Sequence, residues 1–82
     1  MEKVKVYGTR WCSDTIRALR ILDERKIHYE WVDINQSKEG AALVIQTNHG
    51  YRSVPTIFFL DGTILIEPTN HQLNEKLDAL LN

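Results

Sequence analysis

The chain has one cysteine, Cys12, and that scarcity excludes an internal disulfide. Small secreted scaffolds normally carry several paired cysteines, so packing alone must hold this fold, and the chain reads as cytoplasmic. Long apolar runs are missing as well. No stretch nears the ~20 apolar residues that span a bilayer, and Met1-Glu2-Lys3-Val4-Lys5 has neither the apolar region nor the cleavage site of a secretory leader. Nor is there an excess of one charge. Ten Lys and Arg against eleven Asp and Glu give a net charge of −1, which argues against nucleic acid or an anionic membrane as partner, since both favour a basic face. Only four glycines and two prolines are present, few enough to be read as punctuation between elements.

What is present is ordinary for a globular domain, 43% hydrophobic and 26% charged, without repeats or low-complexity segments. Eighty-two residues make one domain, residues 1–82, read as a monomer. A chain of this size buries only roughly 60% of its unfolded surface, so its core has to be economical.

Residues Lys3–Tyr7 form a short β-prone run ended by Gly8, a first strand. Thr9 to Asp14 is a loop feeding a helix, with Ser13 or Asp14 suited to its first turn. From Thr15 to Arg25, Ile16, Leu19 and Leu22 recur at helical spacing, which predicts a buried stripe. His28–Ile34 is aromatic and β-branched, a second strand that takes Trp31 into the core. Ser37 opens a second helix, closed by Asn48-His49-Gly50, with Gly50 suited to a left-handed terminal residue. Pro55 then precedes Thr56–Leu60, an apolar run fit for a strand buried on both faces. Asp61-Gly62 signals a hairpin into a strand at Thr63–Ile66, which Pro68 ends. Thr69 and Gln72 make a capping box for a last helix whose apolar face is Leu73, Leu77, Leu80 and Leu81. The order is β-α-β-α-β-β-α. A parallel first pair with a right-handed crossover and an antiparallel last pair make a mixed four-stranded α/β sheet, with helices on both faces.

Cys12 lies where a helix begins after a strand. Unpaired amides and the helix dipole favour an anion there, so a thiol in that place loses its proton more readily. Arg10 and Arg17 add positive potential and Asp14 opposes it. A free cysteine is often just a small buried hydrophobe. Polar flanks at Arg10, Ser13, Asp14 and Thr15 favour a reactive thiol instead. Val54-Pro55 is the second candidate. Proline entering a strand removes a ladder donor and marks an edge, a bulge or a cis bond. With a cis bond, the Val54 backbone is left available to an extended, peptide-like ligand. His28, His49 and His71 share no metal-ligand spacing with one another or with Cys12, so no metal is assigned. Trp11, in the loop beside the thiol, suits a substrate-lining role.

Thr9-Arg10-Trp11-Cys12-x-x-Thr15 at a helix start, then Gly50-Tyr51-Arg52-Ser53-Val54-Pro55-Thr56, then Asp61-Gly62 and Pro68-Thr69 together resemble the glutaredoxin family. The likeness is strongest to its short bacterial redoxins, mycoredoxins among them. The resemblance implies a thioredoxin fold with Pro55 in cis facing Cys12, and a role in cell redox homeostasis. It implies that the Cys12 thiolate attacks disulfides, or protein mixed disulfides with a low-molecular-weight thiol such as glutathione or mycothiol. It implies that the Val54 backbone pairs with the cysteinyl part of that thiol, and that Arg10 and Arg52 hold carboxylates, a task suited to guanidinium forks.

Two departures from the family pattern narrow this reading. The usual second cysteine is Thr15, one helical turn from Cys12. Its hydroxyl is expected to hydrogen-bond the sulfur, but it cannot resolve a mixed disulfide, so the chemistry is monothiol. After the hairpin, the family's Gly-Gly and Cys-Asp or Ser-Asp pair is replaced by Gly62-Thr63-Ile64-Leu65-Ile66-Glu67-Pro68-Thr69. Thr69 can offer a hydroxyl and helix-start amides there, but the acidic partner is absent, which points toward a small thiol other than glutathione. Two other functions compete with the oxidoreductase: a catalytically weak binding module, and an iron–sulfur cluster carrier. The second ranks low, because the Cys-Gly-Phe-Ser pattern of that class is absent.

Overall fold

A computed structural model describes residues 4–81; Lys3, expected at the head of the first strand, lies outside the described residues. The elements are β1 (Val4–Gly8), α1 (Ser13–Glu24), β2 (Tyr29–Asp33), α2 (Lys38–Thr47), β3 (Thr56–Phe59), β4 (Ile64–Ile66) and α3 (Asn70–Leu81). The sheet order is β2-β1-β3-β4. β1 runs parallel to β2 and antiparallel to β3, and β3 is antiparallel to β4. This is the expected mixed sheet.

Two apolar clusters form, one on each side of the sheet, because strand side chains alternate between faces. Val4, Val6, Ile57 and Phe59 point to one face and pack against Ala18 and Leu22 of α1 and Leu73 and Leu77 of α3. Tyr7 points to the other and packs with Ile34 and with Val44 of α2. Its ring meets Phe58 edge-on, with centroids 5.2 Å apart.

Several boundaries differ from the sequence expectation, each for a local reason. α1 begins at Ser13, so Ser13 and Asp14 both stand in its first turn, and Cys12 itself supplies the extended cap residue. The buried stripe of α1 is Thr15, Ala18 and Leu22. Ile16, expected in that stripe, is 42% exposed. β2 is shorter by one residue at each end. β3 stops at Phe59, leaving Leu60 in the turn. β4 starts at Ile64, since the Thr63 amide and hydroxyl are both tied to the Asp61 carboxylate. In α3 Leu73 and Leu77 are buried, but Leu81 is 53% exposed.

Helix ends follow the same local rules. The Ser37 hydroxyl accepts from the Gly40 amide at the head of α2. The Thr69–Gln72 capping box closes in both directions, at 2.9 and 3.1 Å. α2 ends with the Gly50 amide bonded back to the Ile45 carbonyl, and there both His49 and Gly50 have positive φ. Gly50 is left-handed as expected, and His49 just before it adopts a left-handed φ as well.

Candidate active site

Antiparallel pairing of β1 with β3 sets Tyr7 opposite Thr56. The chain leaving β1 toward Cys12 therefore emerges beside the chain entering β3 from Pro55. That juxtaposition brings together residues 42 positions apart: the Cys12 Sγ donates to the Val54 carbonyl at 3.9 Å, and the Val54–Pro55 bond is cis. Cys12 is part-exposed and is the cap residue of α1, making no side-chain cap bond of its own. Its sulfur thus belongs to the helix end whose free amides and dipole favour negative charge. Among the described residues, neither the N–H nor the C=O of Val54 makes a backbone–backbone hydrogen bond, whereas the Pro55 carbonyl accepts from the Glu67 amide at 2.8 Å. The thiol thus lies beside a residue, Val54, whose backbone takes no part in the sheet ladder and whose carbonyl meets only the sulfur among the described residues.

Around this pair the expected site residues fall in different places. Trp11 is 73% exposed directly beside the thiol. Arg10 turns toward β2, its guanidinium carbon 5.2 Å from the centre of the Trp31 ring. Arg52 reaches the loop after β2, donating to Asn35 Oδ1 at 2.7 Å and to the Ile34 carbonyl at 3.4 Å. The Thr69 hydroxyl accepts from the Gln72 amide, so its oxygen is engaged in capping α3.

Thr15 requires a correction. Its Oγ1 is buried and has no hydrogen-bond partner, so the expected bond to the Cys12 sulfur is not made. The side chain packs instead beneath Gly8, where an added Cβ would meet Thr15 Cγ2 and Oγ1 at 2.8 Å. Spacing along a helix puts residues i and i+3 on adjoining faces, but the sulfur turns toward Val54 while Thr15 turns into the sheet.

The sequence reading missed one set of contacts. Arg17 pairs with Asp14 at 3.0 Å and donates to the Pro68 carbonyl at 3.5 Å, linking the head of α1 to the segment leading into α3. The i,i+3 spacing of Asp14 and Arg17 was a usable signal; the contact with Pro68, 51 residues away, was not. Among the described residues no three His, Cys, Asp or Glu side chains gather as metal ligands, and no helix is long and apolar enough to cross a membrane.

A free, part-exposed cysteine at a helix head, opposite a cis-proline backbone on a β2-β1-β3-β4 sheet, defines a thioredoxin-fold thiol protein. Residues 4–65 match the glutaredoxin family model. The chain is 34% identical over 80 residues to mycoredoxin 1 of Corynebacterium glutamicum, covering 98% of this chain and 99% of that one. It is 36% identical over 72 residues to a protein of Mycobacterium tuberculosis named as a glutaredoxin, covering 88% and 86%. The crystal structure of a glutaredoxin from Archaeoglobus fulgidus superposes with a TM-score of 0.75 at 22% identity, covering 94% and 87%, a likeness of fold. The chain belongs to the glutaredoxin family, and is a glutaredoxin-like thiol oxidoreductase.

Proposed function

We propose that the protein is a monothiol oxidoreductase that reduces mixed disulfides between proteins and a low-molecular-weight thiol. The observation that supports this most directly is the part-exposed Cys12 sulfur beside the Val54 backbone, which makes no backbone–backbone hydrogen bond among the described residues. The Cys12 thiolate attacks the small-thiol sulfur of the mixed disulfide. That sulfur–sulfur bond breaks, the partner protein leaves as its thiolate and takes up a proton, and Cys12 now carries the small thiol. A second small thiol, as its thiolate, attacks this intermediate, releasing the symmetric small-molecule disulfide and restoring the Cys12 thiolate. Each exchange breaks one sulfur–sulfur bond and forms another, so the net reaction consumes one free small thiol, and the oxidation that began in the mixed disulfide ends in the small-molecule disulfide. No second cysteine takes part, as the sequence has none.

In this reading, Val54 N–H and C=O pair with the cysteinyl backbone of the small thiol, Pro55 shapes that strip, and Trp11 covers one side of it. The amides at the start of α3, headed by Thr69, and the Arg52 guanidinium are placed to receive carboxylate or hydroxyl groups, Arg52 on giving up its bonds to Asn35 and Ile34. Thr15 supports the head of α1 from beneath. The small thiol is glutathione, mycothiol or one of similar build, and the protein acts in the cytoplasm.

The test is turnover of one protein's mixed disulfides made in turn with glutathione, mycothiol and cysteine, each followed with the matching free thiol. One of them is turned over catalytically, and Cys12→Ser brings the rate down to that of the uncatalysed exchange. Stoichiometric trapping without turnover would instead make the protein a binding module.

A further inference from the structure

On the β2 side of α1, away from the Asp14–Arg17 pair, an open cavity of about 310 Å³ is lined by Arg10, Ile16, Leu19, Arg20, Asp23 and Glu24. Resting on the monothiol reading above, we propose that this groove docks the segment of a partner protein flanking its reacting half-cystine. It selects an apolar side chain close to that cysteine and a carboxylate further along.

The groove begins one helical turn from Cys12. Ile16 lies one turn beyond Cys12, its amide bonded to the Cys12 carbonyl at 3.0 Å, and its side chain is 42% exposed although apolar. Arg10, from the loop ahead of α1, is the one lining residue not on that helix; its guanidinium stacks on Trp31 of β2, and the Tyr29 hydroxyl donates to Asp23 Oδ1 at 2.9 Å. Charges along the groove are ordered. Among the described residues Arg10 and Arg20 have no ion-pair partner, and Arg20 lies one turn beyond Ile16 on α1. Asp23, already holding the tyrosine hydroxyl, and Glu24 close the far end. A segment running along α1 from the thiol therefore meets an apolar patch, then the Arg20 cation, then acids.

Distances turn this order into a spacing. At about 1.5 Å of rise per helical residue, Ile16 lies about 6 Å and Arg20 about 12 Å along the axis from Cys12. An extended peptide advances about 3.3 Å per residue. The apolar side chain thus falls about two positions from the reacting cysteine, and the carboxylate about four.

The experiment uses symmetric nonapeptides with one central cysteine, so that chain direction does not matter. Leucine stands two positions away on each side, and either glutamate or lysine four positions away. Each is presented as its mixed disulfide with the small thiol that supports turnover, next to the mixed disulfide of 2-mercaptoethanol with that thiol. The wild-type protein prefers the glutamate peptide in kcat/KM by on the order of fivefold at low salt, the size of one or two exposed ion pairs. The preference shrinks as salt rises, and Arg20→Glu reverses it. Replacing leucine by glycine lowers kcat/KM in the wild type but has little effect in Ile16→Ser. Equal rates for the two peptides, or a preference that Arg20→Glu leaves unchanged, overturn the groove assignment while turnover of the 2-mercaptoethanol disulfide keeps the monothiol reading. Absence of turnover for every substrate overturns both.

Discussion

Thr15 occupies the position where a second thiol would complete a dithiol pair, and its side chain is wholly buried against Gly8. A buried hydroxyl without a partner carries a desolvation penalty of about 1–3 kcal/mol, recoverable when an apolar group of the same shape replaces it. Thr15→Val is therefore expected to stabilise the protein by about 1 kcal/mol, read as a higher urea midpoint with an unchanged slope. A destabilised variant would mean that the hydroxyl has a partner in solution. Cys12 is the contrasting residue. It is reachable from solvent at the head of its helix, and its substitution by serine is expected to cost activity and leave the urea midpoint nearly unchanged.

Elements are held by their ends and by a few cross-links. The Thr69–Gln72 box satisfies two backbone groups at the start of α3, and Thr69→Ala is expected to cost about 1 kcal/mol in denaturant unfolding. The hairpin of β3 and β4 is tied to α3 by Lys76, which meets Asp61 at 2.6 Å and lies over the Phe59 ring. α1 and β2 are joined by the Tyr29–Asp23 hydrogen bond. Burial first, then that hydrogen bond and the Asp23 charge, push the Tyr29 phenol above its ordinary value. A raised folded-state value means that the neutral phenol is favoured by folding. Its contribution is complete below about pH 10, the unfolded value, and is lost as pH rises through the folded one. Stability measured from pH 8 to 11.5 is expected to fall at the alkaline end in the wild type, and less steeply in Tyr29→Phe. Identical alkaline limbs would contradict this.

In the molecule as a whole, two small cores share one sheet, so each central residue supports a large part of the fold. Leu22 is fully buried between α1, α3 and the sheet. Leu22→Ala is expected to cost about 2–5 kcal/mol, a large fraction of the stability of a domain this small. Thermal unfolding checks this, and a shift of only a degree or two would show that the neighbours collapse into the space. Sheet order also sets the site. With β1 and β3 adjacent and antiparallel, the exit of one and the entrance of the other share an edge, and Cys12 and Val54 meet there.

By itself the sequence determined the features that depend on neighbours a few residues apart. Periodicity and turn chemistry set the order of seven elements, because Gly8, Gly50, Pro55, Asp61-Gly62 and the Thr69–Gln72 pair act within one turn of chain. The scarcity of cysteine excluded an internal disulfide, and the helix start singled out Cys12. Only the tertiary structure decided the rest, since it depends on which strands pair and which way side chains turn. Packing against the sheet buried Thr15 and left Ile16 exposed, although both lie on the same helix. It drew Arg10 onto Trp31 and Arg52 onto Asn35, and it joined Arg17 to Pro68. A hydrophobic pattern tells a helix that it needs a buried face, but the partner surface chooses which one.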